Sequence, residues 1–267
     1  MSDGKYAFEK SKIIQGDCLE KMKLIPEGSI DMILADLPYG TTQNKWDAVI
    51  PFEPLWKQYW RVLKPNGIIA LTASQPFSSA LVMSQPKWYK HEWIWIKNRG
   101  SNFANTVREP MKEHEQVLIF SKGKWTYNKQ MQERTGGGLN LINKKVGTGQ
   151  KQRDGVGKFK EFNAIKKLPE LRVPSTWQKF NTQVGMHPTQ KPTELFEYLI
   201  KTYTNEGDIV LDNVAGSGTT GEACLNLNRD FILIEKEPNY YEVIKERVGK
   251  IFKNYGLDLQ PLLNERM

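Results

Sequence analysis

The chain has 267 residues, 39% apolar and 25% charged, with a net charge of +8, which is ample apolar material for a folded core and excludes wholesale disorder. Its longest mainly apolar runs, Ile30 to Ala35 and Gly67 to Ala73, fall far short of the roughly 20 residues of a membrane span. Met1 to Lys12 is polar and has no signal-peptide character. Two widely separated cysteines, Cys18 and Cys224, fit no zinc spacing, so neither a disulfide framework nor a metal is expected, and the expected setting is cytoplasmic.

Ser11 to Ile14 has the pattern of a short strand and Cys18 to Leu24 that of a short helix. Ile30 to Ala35, ending at Asp36, suits a strand buried on both faces. Pro51 to Leu63 places Trp56, Tyr59, Trp60 and Leu63 at helical spacing, and Lys64-Pro65-Asn66-Gly67 predicts a turn before a strand from Gly67 to Ala73. A helix over Phe77 to Met83 and strands over Glu92 to Lys97 and Glu115 to Ser121 follow. After a long irregular stretch come a helix (Pro192 to Thr204), a strand (Ile209 to Asp212), a helix (Gly218 to Leu227), a strand (Phe231 to Glu235) and a helix (Tyr240 to Phe252). This alternation predicts an α/β domain whose mostly parallel sheet carries helices on both faces.

The positive charge is concentrated. Ser121 to Gln190 holds 14 Lys or Arg against 4 Asp or Glu, a net of +10, which leaves 24 basic and 26 acidic residues, a net of −2, elsewhere. The same stretch contains Gly136, Gly137 and Gly138, and Trp125, Tyr127, Phe159, Phe162, Trp177 and Phe180 interleave with its lysines. A basic, glycine-rich insertion studded with aromatic rings suits a polyanion, since phosphates attract the lysines and bases stack on rings. A solvated loop pinned by a few aromatics has the same composition.

Two strand ends are chemically unusual, and ligands of such sheets bind beyond the carboxyl ends of the strands. In the run from Val210 to Thr220, a strand ends in Asp212, a turn carries Gly216 and Gly218, and a helix begins. Glu235 stands 17 residues beyond Gly218, at the end of the next strand, where a carboxylate can accept hydrogen bonds from ribose hydroxyls. A nucleoside-bearing cofactor is implied. Gly216 to Gly221 also satisfies GxGxxG, so spacing leaves NAD open, although Asp212 directly before the turn argues against it. The second strand end is Asp36-Leu37-Pro38-Tyr39. Pro38 holds Leu37 extended, which leaves the Leu37 carbonyl and the Asp36 carboxylate as paired acceptors for an amino group on a planar heterocycle, with Tyr39 offering a flat face.

Together these segments resemble the amino-methyltransferases that modify exocyclic amines of DNA with S-adenosylmethionine. Asp36 to Tyr39 is similar to their catalytic Asp-Pro-Pro-Tyr motif, with Leu37 in place of the first proline. Asp212 to Thr220 is similar to their cofactor motif, with Asn213-Val214 in place of Pro-Phe, and His187-Pro188-Thr189-Gln190-Lys191-Pro192 is similar to the segment that precedes it. The order of catalytic motif, basic region and cofactor motif is that of the β group. The resemblance implies a Rossmann-like class I methyltransferase fold with a seven-stranded sheet. It divides the chain into a catalytic half (1–125), an inserted target-recognition region (126–186) and a cofactor half (187–267).

The resemblance also implies roles. Asp36 and the Leu37 carbonyl would receive the N6 hydrogens of a flipped-out adenine, with Pro38 stiffening the turn and Tyr39 stacking on the base. Gly216 and Gly218 would wall the cofactor pocket together with Asn213, Ala215, Ser217 and Thr219. Glu235 would hold the ribose and Asp212 would face the methionine end. Lys191, with His187 and Thr193, would neutralise the cofactor carboxylate, and Asp17 would meet the adenine amino group, unless it caps a helix. Lys144, Lys145, Lys151 and Lys158 would contact DNA phosphates. DNA is the implied partner, a homodimer is frequent in the group, and a place in restriction-modification follows. A cytosine N4-methyltransferase has the same geometry but usually carries Ser at position 36. An NAD-binding oxidoreductase leaves Asp36 to Tyr39 unexplained, and a non-catalytic DNA-binding module would bind cofactor without transfer.

Overall fold

The computed structural model describes residues 8–40, 47–134, 170–183 and 190–263. The chain divides into two compact units, one of Met1–Asn128 with Thr176–Met267 and one of Lys129–Ser175.

The larger unit is built on β1 (Lys12–Gln15), β2 (Ile30–Ala35), β3 (Leu63–Ala73), β4 (Tyr89–Ile96), β5 (His114–Phe120), β8 (Trp177–Lys179), β9 (Ile209–Asp212) and β10 (Asp230–Glu235), in the order β1-β10-β9-β2-β3-β5-β4-β8. The pairs from β1 to β3 are parallel, β5 runs antiparallel to both of its neighbours, and β8 lies parallel to β4. The sheet therefore has eight strands among the described residues, not the seven expected. The eighth is the three-residue β8, whose backbone joins the edge of β4 with Ile94 opposite Trp177 and Ile96 opposite Lys179.

Alternation of side chains along the strands feeds two apolar layers. Met32 and Leu34 of β2, with Val210 of β9 and Leu233 of β10, pack under α4 (Thr193–Tyr203), α5 (Thr219–Asn226) and α6 (Pro238–Tyr255). Ile33, Ala35 and Leu211 face the other way, onto α1 (Cys18–Lys21), α2 (Phe52–Val62) and α3 (Phe77–Ser84). Helix α2 shows why: Leu55, Trp56, Tyr59 and Val62 recur at helical spacing and all are buried.

The predicted turn at Lys64 to Gly67 lies inside β3. Leu63 pairs with Ile30 and Ile68 with Met32, so the intervening residues bulge from a strand pinned on both sides. Two anchors flank the smaller unit. The Asn128 amide donates to the Thr202 carbonyl at 2.7 Å, its side-chain nitrogen to the Thr204 carbonyl at 2.9 Å, and Ile94 N–H donates to the Thr176 carbonyl at 2.8 Å.

In the smaller unit β6 (Gln132–Glu133) pairs antiparallel with β7 (Leu171–Arg172), and the Arg172 guanidinium donates to Ser175 Oγ at 2.6 Å. Lys144, Lys145, Lys151, Lys158 and, on the larger unit, His187 lie outside the described residues. No helix among the described residues is long and apolar enough to cross a membrane. Both cysteines are free and buried.

Candidate active site

Parallel strands deliver their C-terminal ends to one edge. Met32 of β2 faces Val210 of β9, Leu233 of β10 faces Asp212, and Gln15 of β1 faces Glu235. The Asp36 turn, the Gly216 loop, Glu235 and Asp17 consequently emerge side by side, as two adjacent strands and their neighbours require.

Asp36 is held by three donors. Its Oδ1 accepts from the Tyr39 hydroxyl at 2.9 Å and from the Thr72 hydroxyl at the end of β3, and its Oδ2 accepts from Lys191 Nζ at 2.7 Å. Lys191, buried, also faces Glu115 Oε2 at 3.4 Å, and Glu115 in turn pairs with Lys97. Burial works against the charged ammonium, yet the carboxylates of Asp36 and Glu115 outweigh it and raise the Lys191 pKa. Burial would raise the Glu115 carboxyl, but Lys191 and Lys97 prevail and lower it. The four residues form a chain of alternating charge running from Lys97, just beyond β4, to the Asp36 turn. Lys191 thus sits on the Asp36 carboxylate. The Tyr39 ring stacks on Phe77 with centroids 5.2 Å apart. Burial, followed by the charges of Asp36 and Glu115, holds its hydroxyl well above the ordinary tyrosine range. The Leu37 side chain is buried in the layer that contains Ala35 and Phe77.

The Gly216 loop is braced from below. Glu235 Oε2 accepts from Gly216 N–H at 2.7 Å and its Oε1 from Glu237 N–H at 2.8 Å, while the Ala215 amide donates to the Ile234 carbonyl at 2.9 Å. Burial raises the Glu235 carboxyl pKa. Gly216 and Gly218 have φ of +52° and +79°, which L side chains rarely adopt. A Cβ on Gly218 would stand 3.2 Å from Ile244 of α6, whereas one on Gly216 would meet nothing within 4 Å. Gly218 thus serves helix packing, and Gly216 borders open space.

Asp212 Oδ1 accepts from Val214 N–H at 3.1 Å and its Oδ2 from the Thr220 hydroxyl. Asn213 Oδ1 accepts from the Tyr59 hydroxyl at 2.6 Å, and its side chain also meets the Cys18 thiol. Asp17 caps α1, accepting from Leu19 N–H at 3.0 Å, with Lys236 at 3.8 Å. Thr193 N–H donates to Gln183 Oε1 at 3.1 Å, and the Ser217 hydroxyl donates to Gln190 Oε1 at 3.3 Å.

Arg247, which no sequence motif singles out, ties these parts together. From α6 its Nη1 donates to the Ser217 carbonyl at 3.0 Å and to the Ser217 and Thr219 hydroxyls at 3.2 and 3.1 Å. Its Nη2 reaches the Thr193 hydroxyl at 3.2 Å and its Nε pairs with Glu222. Thr72, Glu115 and Lys97 were likewise missed. Thr72 carries a faint signal, a hydroxyl in an otherwise apolar strand.

Burial pushes the Asp212 carboxyl up to about 7, although the bonds from Thr220 and Val214 act the other way. An unfolded aspartate ionises near about 3.9, so the unfolded state releases a proton that the folded state retains. Folding loses stability as pH rises from about 4 to about 7. Asp212→Asn cannot ionise and is expected to remove that slope. In urea titrations the unfolding free energy of the variant should gain on the wild type steadily between those limits. A difference constant with pH would show that Asp212 titrates normally.

Among the described residues no group of three or more His, Cys, Asp or Glu could hold a metal ion. The open space beside Gly216 and two buried carboxylates, Asp212 and Glu235, at neighbouring strand ends fit a polar, nucleoside-bearing cofactor.

Residues 30–246 match the N6/N4 DNA methylase family. The Type II methyltransferase M.HpaI of Haemophilus parainfluenzae is 29% identical over 91% of this chain and 76% of its own. M2.LlaDCHI of Lactococcus lactis subsp. cremoris is 28% identical over 94% of each. Among solved structures, the M1.HpyAVI–SAM complex is 28% identical over 88% of this chain and 98% of that one, with a TM-score of 0.59. The cytosine-N4-specific PvuII DNA methyltransferase, 16% identical with a TM-score of 0.61 over 94% and 95%, shares the fold. With the Asp36 turn and the glycine loop on one sheet edge and both within residues 30–246, the chain belongs to the N6/N4 DNA methylase family, as a DNA amino-methyltransferase of the β group that uses S-adenosylmethionine.

Proposed function

We propose that this DNA methyltransferase acts on the exocyclic N6 of adenine everted from DNA. The observation that carries the reading is Asp36, a carboxylate beside a rigid turn, aimed from the cofactor edge and fixed by Tyr39, Thr72 and Lys191.

The amine nitrogen of adenine is a weak nucleophile because its lone pair is delocalised into the ring. Acceptors for both of its hydrogens favour the tetrahedral nitrogen that forms during attack, a stabilisation specific to the transition state. In this reading Asp36 and the Leu37 carbonyl are those acceptors, Pro38 keeps them in register, and Tyr39, backed by Phe77, packs on the base. Asp36 needs to accept a hydrogen bond, not to be a strong base, and its pairing with Lys191 suits that role. S-adenosylmethionine, when bound, supplies an already activated methyl group. Glu235, fixed by Gly216 and Glu237, is assigned to the ribose. Asp212, Asn213, Ala215, Gly216, Ser217, Gly218 and Thr219 form the wall beside it, and Thr193 supports that wall through Arg247. Lys191 is assigned to Asp36, and Asp17 to the α1 cap. His187 keeps its implied place beside the cofactor carboxylate. Residues 126–186, with Lys144, Lys145, Lys151 and Lys158, are assigned to target recognition, between halves 1–125 and 187–267. A homodimer and a cytoplasmic setting complete the reading, the latter supported by two free thiols.

Incubation with labelled S-adenosylmethionine and unmethylated DNA, then nucleoside analysis, is expected to place the label on N6-methyladenine. Label on N4-methylcytosine would overturn the base assignment, and DNA without label would overturn transfer itself.

A further inference from the structure

The loop between β4 and β5 is built as a rigid projection. Lys97 N–H donates to the Glu113 carbonyl at 2.8 Å and Ser101 N–H to the Lys112 carbonyl at 3.2 Å, which continues the strand pairing outward. Asn102 then closes the neck. Its Oδ1 accepts from Lys112 N–H at 2.6 Å, and its Nδ2 donates to Glu109 Oε1 and the Pro110 carbonyl, both at 3.0 Å. A single 3-10 turn over Phe103–Asn105 and the Arg108 N–H to Asn105 carbonyl bond shape the tip.

This self-bonded tip presents apolar side chains to solvent. Phe103 is 79% exposed and Val107 is 90% exposed. Arg99 and Arg108 of the same loop are exposed and Lys112 is half-buried. Of the loop's two acids, Glu109 is engaged by Asn102, and Glu113 is exposed. The projection leaves the sheet at the catalytic edge: Ala35, one residue before Asp36, lies opposite Leu71 of β3, and Ala73 lies opposite Gln116 of β5. Glu115, two residues beyond the loop, contacts the lysine that holds Asp36.

We propose that this loop is a DNA wedge, with Phe103 and Val107 entering the base stack next to the everted nucleotide while Arg99, Arg108 and Lys112 contact phosphates. The chemistry is that of apolar side chains which fill unstacked base steps, held there by cations on the backbone. The proposal rests on eversion of the target base, and it assigns a group that compensates for the lost stacking.

The test uses the full-length enzyme with S-adenosylmethionine and fluorescein-labelled unmethylated DNA, read by anisotropy. Phe103→Ala is expected to weaken duplex binding by about tenfold, because the unstacked base step is then left unfilled. Binding to the corresponding single strand should change little, because an unstacked strand offers no gap to fill. Phe103→Trp should retain duplex affinity. Cofactor affinity and the unfolding midpoint should be unaltered, since the side chain is exposed. Arg108→Ala should flatten the dependence of log K on log salt by about 0.9. Unchanged duplex affinity in Phe103→Ala overturns the wedge, and so does an equal loss on single and double strands. A variant that shifts sedimentation from dimer to monomer at unchanged duplex affinity makes the tip a contact between two copies of the chain, again rejecting it. Because binding is read directly, absence of methyl transfer by the wild type would count against the activity and not against the wedge.

Discussion

Asp36→Ala is expected to lower methyl transfer by about three orders of magnitude, the upper range for removing one preorganised hydrogen-bonding group from a reacting centre. The Kd for S-adenosylmethionine should move by less than about threefold, since the lost interaction is one made in the transition state. The structure explains why the fold should survive. Lys191 keeps Glu115 as a partner at 3.4 Å, and Thr72 and Tyr39 retain each other at 3.1 Å. Asp36→Asn is predicted to be nearly as damaging. Three donors converge on the carboxylate, and an amide nitrogen facing any of them adds a donor where an acceptor is required. Single-turnover transfer with cofactor affinity measured in parallel decides the matter, and wild-type turnover by Asp36→Ala would remove its role.

Arg247→Met should cost about 2 kcal/mol of stability, the range for losing hydrogen bonds to a buried charged group, since the Glu222 side chain of the pair is partly exposed. Glu222 is left without its cation, and Ser217, Thr219 and Thr193 lose their shared donor. Arg247→Lys should recover less than half. A single ammonium can neutralise Glu222 but cannot span α4, α5 and the glycine loop with a planar fork. Cofactor affinity should fall by about tenfold or more in Arg247→Met, as the loop loses preorganisation. Urea unfolding and calorimetric titration of the cofactor measure both effects. A stability loss below about 1 kcal/mol would place Arg247 among ordinary surface pairs.

The fold was readable wherever local pattern and tertiary demand agree. Asp36 and Asp212 announce themselves because a carboxylate ending an apolar strand has no packing reason to be there, and both prove to stand at the same sheet edge. The turn chemistry of Pro65-Asn66-Gly67 misled, because pairing on both sides of it absorbs those residues as a bulge. Strand β8 was invisible, since three residues are too few for a period and its strand character comes entirely from the edge of β4. The supports of the site were hidden for a different reason. Lys191 finds Asp36 across 155 positions, and Arg247 finds Thr193 across 54. A sequence displays the residue types in such contacts but not their meeting. Lys191 stands out in the sequence for its neighbours in the chain, and only the fold shows that Asp36 and Glu115 surround it.

The way the chain leaves and rejoins the large sheet has a practical corollary. Asn128 is fastened to the end of α4, and Thr176 is fastened to β4. Departure and return are thus each secured to the same scaffold by main-chain bonds that owe nothing to the intervening residues. A change in the length of what lies between these moorings leaves both of them in place on the large sheet.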